Sequence, residues 1–164
     1  MSGVDKVRAL AAVRACLEAD LEAATASQNK VLAGTVHPEA KQEGSKDTRA
    51  IESGYLARGL AMRVEELQVA LVQFDRVPVR QFSEGDAIGP GALVTTESEE
   101  AAARAHFLVL PVGAGTRVEI DHHSILVVTP KSPVGQALIG RFEGDDVRIV
   151  APGGVRDLEV TAVT

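Results

Sequence analysis

The 164-residue chain has an apolar content of 45%, enough to bury the core of one medium domain or two small ones without disulfides or metal. Its net charge of −6 argues against a protein that coats duplex DNA or an anionic membrane, because phosphate contacts need clustered Lys and Arg. Tryptophan is absent and aromatics make up 3%, so an aromatic-lined ligand pocket or a base-stacking platform is hard to build.

The N-terminal stretch MSGVDKVRALAAVRACLEADLEAA scatters acids early and has no uninterrupted apolar run, so it reads as neither a signal peptide nor a membrane span. Cys16 is the only cysteine, which fits a reducing compartment and rules out an internal disulfide or a Cys-based zinc cluster. A cytoplasmic protein is expected.

From about Val4 to Leu32, Leu10, Val13, Leu17, Leu21, Ala24, Gln28 and Val31 recur every three or four residues, which predicts one face of a long helix. A second long helix is predicted from about Asp47 to Phe74, with its stripe through Ile51, Tyr55, Leu60, Val64, Leu67, Leu71 and Phe74. Neither narrow stripe can be buried alone, so the two helices should pair as an antiparallel coiled-coil hairpin over residues 1–77. Its tip falls near 34–48, where Gly34, Pro38 and Gly44 break the periodicity and Glu39, Glu43 and Asp47 crowd together. Pro78 closes the second helix, since proline lacks a backbone donor.

From 78 to 164 the texture changes to short β-branched runs: ALVTT, HFLVLPV, TRVEI, SILVVTP, DVRIV and LEVTAV. Between the fourth and fifth runs, Ser132 to Arg141 predicts a short helix with Pro133 at its start and Gly140 at its end. The fold class expected is α+β, a helical hairpin followed by a curved antiparallel sheet with one short helix. There is no internal repeat.

Ser132-Pro133, Ala137-Leu138-Ile139-Gly140, Gly144-Asp145, Val147 to Val150, Pro152-Gly153-Gly154 and Leu158 to Val163 follow one another densely. This segment resembles the end of the C-terminal domain of the GreA/GreB family of transcript-cleavage factors, and the order hairpin then sheet domain agrees as well. The resemblance implies an FKBP-like C-terminal domain that grips the rim of the RNA polymerase secondary channel, with the hairpin entering toward the active site. It also implies contact with nascent RNA in backtracked complexes, and a monomer is expected.

In that family two tip acids help hold a second Mg2+ together with the polymerase. The resemblance carries this role to Asp47 and Glu43, with Glu39 as a further metal-facing carboxylate. A loosely held second ion needs only one or two added oxygen ligands plus waters, so a tip without a pocket suffices. The family spaces its two acids three apart, whereas Glu43 and Asp47 are four apart, and Asp47 is also well placed to cap the second helix. Lys46, Arg49 and Arg58 correspond to the basic groups that meet the displaced RNA end; interleaved acids make helix-surface salt links an alternative for them, as for Arg63. Lys131, Ser132 and Pro133 correspond to the polymerase-binding loop, with Lys131 where the family commonly has Asp or Asn. Ser132 can also cap the following helix.

His37, before a proline in the tip, reads as a turn residue rather than a ligand. His122-His123 reads as a solvated turn pair, because neighbouring strand residues point to opposite faces and cannot share one ion. Three functions follow. The first is an inherently inert factor that stimulates the polymerase's own RNA cleavage, and the second is a non-cleaving homologue that occupies the channel. The third is an FKBP-like peptidyl-prolyl isomerase, whose pocket should be missing because this half holds few aromatics beyond Phe82, Phe107 and Phe142.

Overall fold

The computed structural model describes residues 4–35, 46–98, 103–151 and 153–164. Two long helices come first, α1 (Lys6–Thr35) and α2 (Lys46–Asp75). Strands β1 (Leu93–Ser98), β2 (Ala103–Val109), β3 (Arg117–Ile120) and β4 (His123–Val128) follow. The short helix α3 (Pro133–Leu138) comes next, then β5 (Asp146–Ala151) and β6 (Gly154–Val163). Among the described residues no helix is long and apolar enough to cross a membrane.

Each long helix has 30 residues, about 45 Å at 1.5 Å rise per residue. Leu17 is buried on α1, and Leu21, Ala24, Gln28 and Val31 are half-buried, which is the predicted row. On α2 the row differs. It runs through Ser53, Ala57, Leu60, Val64, Leu67, Leu71 and Phe74, whereas Ile51 and Tyr55 are 57% and 73% exposed. The reason is spacing. From Leu60 the three-four alternation leads back to Ala57 and Ser53, while Tyr55 lies five residues away and turns off that face.

Two compact units divide the chain, one of residues 16–72 and one of residues 1–15 with 73–164. The hairpin's foot therefore belongs with the sheet, in contrast to the boundary expected at 77/78. The six strands form one sheet in the order β3-β4-β2-β1-β6-β5. All six predicted runs are strands. The sheet is not wholly antiparallel, however, because β2 and β4 run parallel with Phe107 opposite Leu126. The link from Leu110 to Thr116 carries β3 past a vacant position, and β4 returns into it, antiparallel to β3 and beside β2.

Strand alternation sorts the core onto two faces. One face, with Val94, Phe107, Val109, Val128, Val147, Ile149, Leu158 and Val160, packs with Ile88, Phe82 and Leu138 of α3. The other carries Leu93, Leu108, Ile125 and Val127, all buried, in the same unit as the buried Ala9, Leu10 and Val13 of α1 and Phe74 of α2. Polar anchors surround this foot. Lys6 is buried, donates to the Arg80 carbonyl and lies 5.0 Å from the Phe82 ring centroid, with the Arg80 guanidinium 4.1 Å from the same ring. Arg8 Nη1 donates to both carboxylate oxygens of Asp121, at 2.8 and 2.6 Å.

Candidate functional site

The loop from Thr129 to Gln136 is built around one carbonyl. Thr129 O accepts from the Ser132 amide at 2.9 Å and from the Ser132 hydroxyl at 2.8 Å. The same hydroxyl accepts from the Gly135 amide at 3.1 Å, with Ser132 extended at φ −72 and ψ 152 as an N-cap requires. Pro133 occupies the first helical position, where a missing N–H costs nothing. Gln136 Nε2 donates to the Lys131 carbonyl at 3.1 Å, tying the loop's crest to the helix behind it. Gly135 is the tightest point: a Cβ there would lie 1.9 Å from Thr129 O.

This wiring separates the three residues assigned to docking. Ser132 is half-buried and its hydroxyl is engaged on both sides, so it positions the loop. Lys131 and Pro133 are exposed and face outward on a crest that cannot easily reshape. Ser132 therefore fills the capping role read for it, and Lys131 and Pro133 leave a cation beside a rigid apolar ring exposed on the crest.

Behind α3 lies a cavity of about 330 Å³, lined by Phe107, Leu126, Val134, Ile149 and Leu158, with Arg104 and Arg156 among its polar groups. Phe107 is the single aromatic among the lining residues. Aliphatic side chains and glycines leave the space that aromatics would otherwise fill.

Glu39 and Glu43 lie outside the described residues, as do His37 and Lys41. The helix α2 begins at Lys46, so Asp47 is in its first turn rather than at the extended position of a cap. Carboxylate oxygens are the hard donors that Mg2+ takes, and a few of them leave most of an octahedral shell to water or a second protein. Among the described residues no group of three or more His, Cys, Asp or Glu side chains is arranged to hold a metal.

Arg49 and Arg58 are both exposed on α2. Nine residues at 100° each put them about half a turn apart, on opposite sides of the helix. Arg63 lies 3.5 Å from Glu66, a surface link of the kind the sequence allowed.

The histidines resolve differently from one another. Asp121 and His122, at φ 49 and 68, form the two-residue turn between β3 and β4, a backbone that suits a right-twisted hairpin. His123 opens β4, and its ring meets His106 of β2 edge-on with centroids 4.9 Å apart. His106 is buried and within 3.1 Å of the Thr95 hydroxyl; burial, then the charges of His123 and Arg104, hold its pKa below the ordinary value. Sequence reading missed this pair, because the parallel β2-β4 register that joins them has no local signature.

A family model for the transcription elongation factor GreA/GreB C-terminal domain matches residues 83–164, half of the chain. Transcription elongation factor GreA of Syntrophobacter fumaroxidans is 28% identical over 130 residues, 79% of this chain and 74% of that one. GreA of Thioalkalivibrio sulfidiphilus is 31% identical over 101 residues, 62% of this chain and 60% of that one. A crystal structure of GreA factor homolog 1 from Thermus thermophilus aligns at 20% identity over 96% of this chain and 93% of that one, with a TM-score of 0.40. The match covers the sheet, the α3 loop and its cavity, and on it the chain belongs to the GreA/GreB family of transcription elongation factors.

Proposed function

We propose that this chain binds RNA polymerase at its secondary channel, docks through the Lys131–Pro133 crest, and stimulates the polymerase's own cleavage of backtracked RNA. The observation that carries the reading is the crest itself. Its hydroxyl, carbonyl and glycine are all committed to holding shape, which presents one cation and one proline outward at little entropic cost of docking. Family membership supplies the partner.

The tip would act by carboxylate donation. Asp47, Glu43 and Glu39 are the residues that would hold Mg2+ jointly with the polymerase, and the ion when bound would polarise a phosphate oxygen and lower the pKa of a water. Lys46, Arg49 and Arg58 would meet the displaced RNA; opposite placement lets Arg49 and Arg58 serve different neighbours. A second reading rests on the four-residue spacing of Glu43 and Asp47. In it the same docking places a tip that occupies the channel without cleavage.

Binding of the full chain to core polymerase tests the docking half. Lys131→Glu should weaken it about tenfold or more, since reversing a charge at a contact typically costs over 1 kcal/mol. Unchanged binding would remove the crest from the interface.

A further inference from the structure

The helix α2 carries two seams. The half-buried one runs from Ser53 to Phe74. Two positions earlier, about 200° around the helix, lies a second three-four series that begins at Ile51 and ends at Val72. Its apolar members are exposed: Ile51 57%, Tyr55 73%, Met62 54%, Val69 49% and Val72 52%. Arg58 and Glu65 complete it, and both are exposed. A helix that needed only its hairpin partner would place polar residues here.

We infer that this second seam pairs two copies of the chain, α2 against α2, antiparallel about a two-fold axis at Met62. The series is its own complement. When the seam is reversed about Met62, Ile51 falls opposite Val72, Tyr55 opposite Val69, and Arg58 opposite Glu65 of the other copy. Apolar meets apolar and cation meets anion at every step. Parallel pairing would instead set Arg58 on Arg58 and Glu65 on Glu65.

A second observation agrees. Met62, Glu65, Glu66 and Val69 border a surface notch of about 260 Å³. Those positions are i, i+3, i+4 and i+7, the four corners of the hole that receives a knob in helix pairing. In the antiparallel register the knob that arrives is Arg58 of the second copy, and two of the corners are glutamates. The pair repeats across the axis, so each dimer gains the contact twice. The seam spans about 32 Å, a modest interface that should give a reversible dimer rather than an obligate one. The monomer expected from the sequence is then one side of an equilibrium.

Sedimentation equilibrium on the full chain, from roughly 5 to 200 μM, tests this. The wild type should show a concentration-dependent dimer. Arg58→Glu alone, or Glu65→Arg alone, should lower the association constant about tenfold or more, because each sets like charges together twice. The double variant R58E/E65R should return to within about threefold of wild type, which only the antiparallel register allows. Met62→Glu, placing two carboxylates at the axis, should leave monomer alone while circular dichroism keeps its helical signal. Monomer at every wild-type concentration would overturn the inference. So would a dimer indifferent to these substitutions, or single charge reversals that weaken polymerase binding while self-association stays at wild type.

Discussion

Ser132 and Gly135 form one device, and substitution should separate their contributions. Ser132→Ala removes a cap and should cost about 1 kcal/mol. Gly135→Ala drives a methyl against a backbone oxygen 1.9 Å away, which α3 can relieve only by lifting off Thr129; about 3 kcal/mol is expected. Denaturant unfolding of the two variants checks the order. His106 sets a pH dependence. Unfolded, it titrates near its ordinary 6.5; folded, it titrates lower, because burial and the neighbouring His123 and Arg104 disfavour the charged ring. Between those values the unfolded chain holds more protons. The contribution is therefore complete above about 6.5 and lost as pH falls toward the folded value. Thermal midpoints should fall as the pH drops below about 6.5, and His106→Gln should flatten that fall. The Ser132 cap was legible from Ser-Pro alone, since capping is local. The His106–His123 contact was not, because 17 positions of chain separate residues that only a sheet register brings together.

For the elements, periodicity was a good guide where one face decides burial and a poor one where two do. All six strands and α3 could be read from β-branched runs and turn residues. On α2, Ile51 and Tyr55 look like core by composition, and only the five-residue step to Leu60 betrays that they belong to another face. The parallel β2-β4 pair was hidden for a different reason: it joins strands that are not neighbours in sequence, with β3 folded back on β4 through the Asp121-His122 turn. The cavity behind α3 tests the isomerase alternative at this scale. With Phe107 as its single lining aromatic, it lacks the walls that would grip a twisted prolyl peptide. A proline-isomerisation assay on the full chain should show no turnover above the uncatalysed rate, and substantial turnover would give the cavity a catalytic role.

At the scale of the whole molecule, the proposed function is divided between a sheet domain with a stiff outward crest and the acids that the sequence places between the two long helices. Docking alone and docking with cleavage share the first part and differ only in the second. Residues Glu39, Glu43 and Asp47 were identifiable from the sequence as an acidic cluster between two helices; what chemistry four-residue spacing permits is a matter of geometry against the polymerase, which no single chain encodes. The measurement that separates the readings is release of short 3′ RNA fragments from backtracked polymerase complexes in Mg2+. The wild-type chain should stimulate release, and the double variant Glu43→Ala with Asp47→Ala should still bind polymerase but release at the unstimulated rate. A wild-type chain that binds without stimulating release, or a double variant as active as wild type, would contradict the cleavage reading.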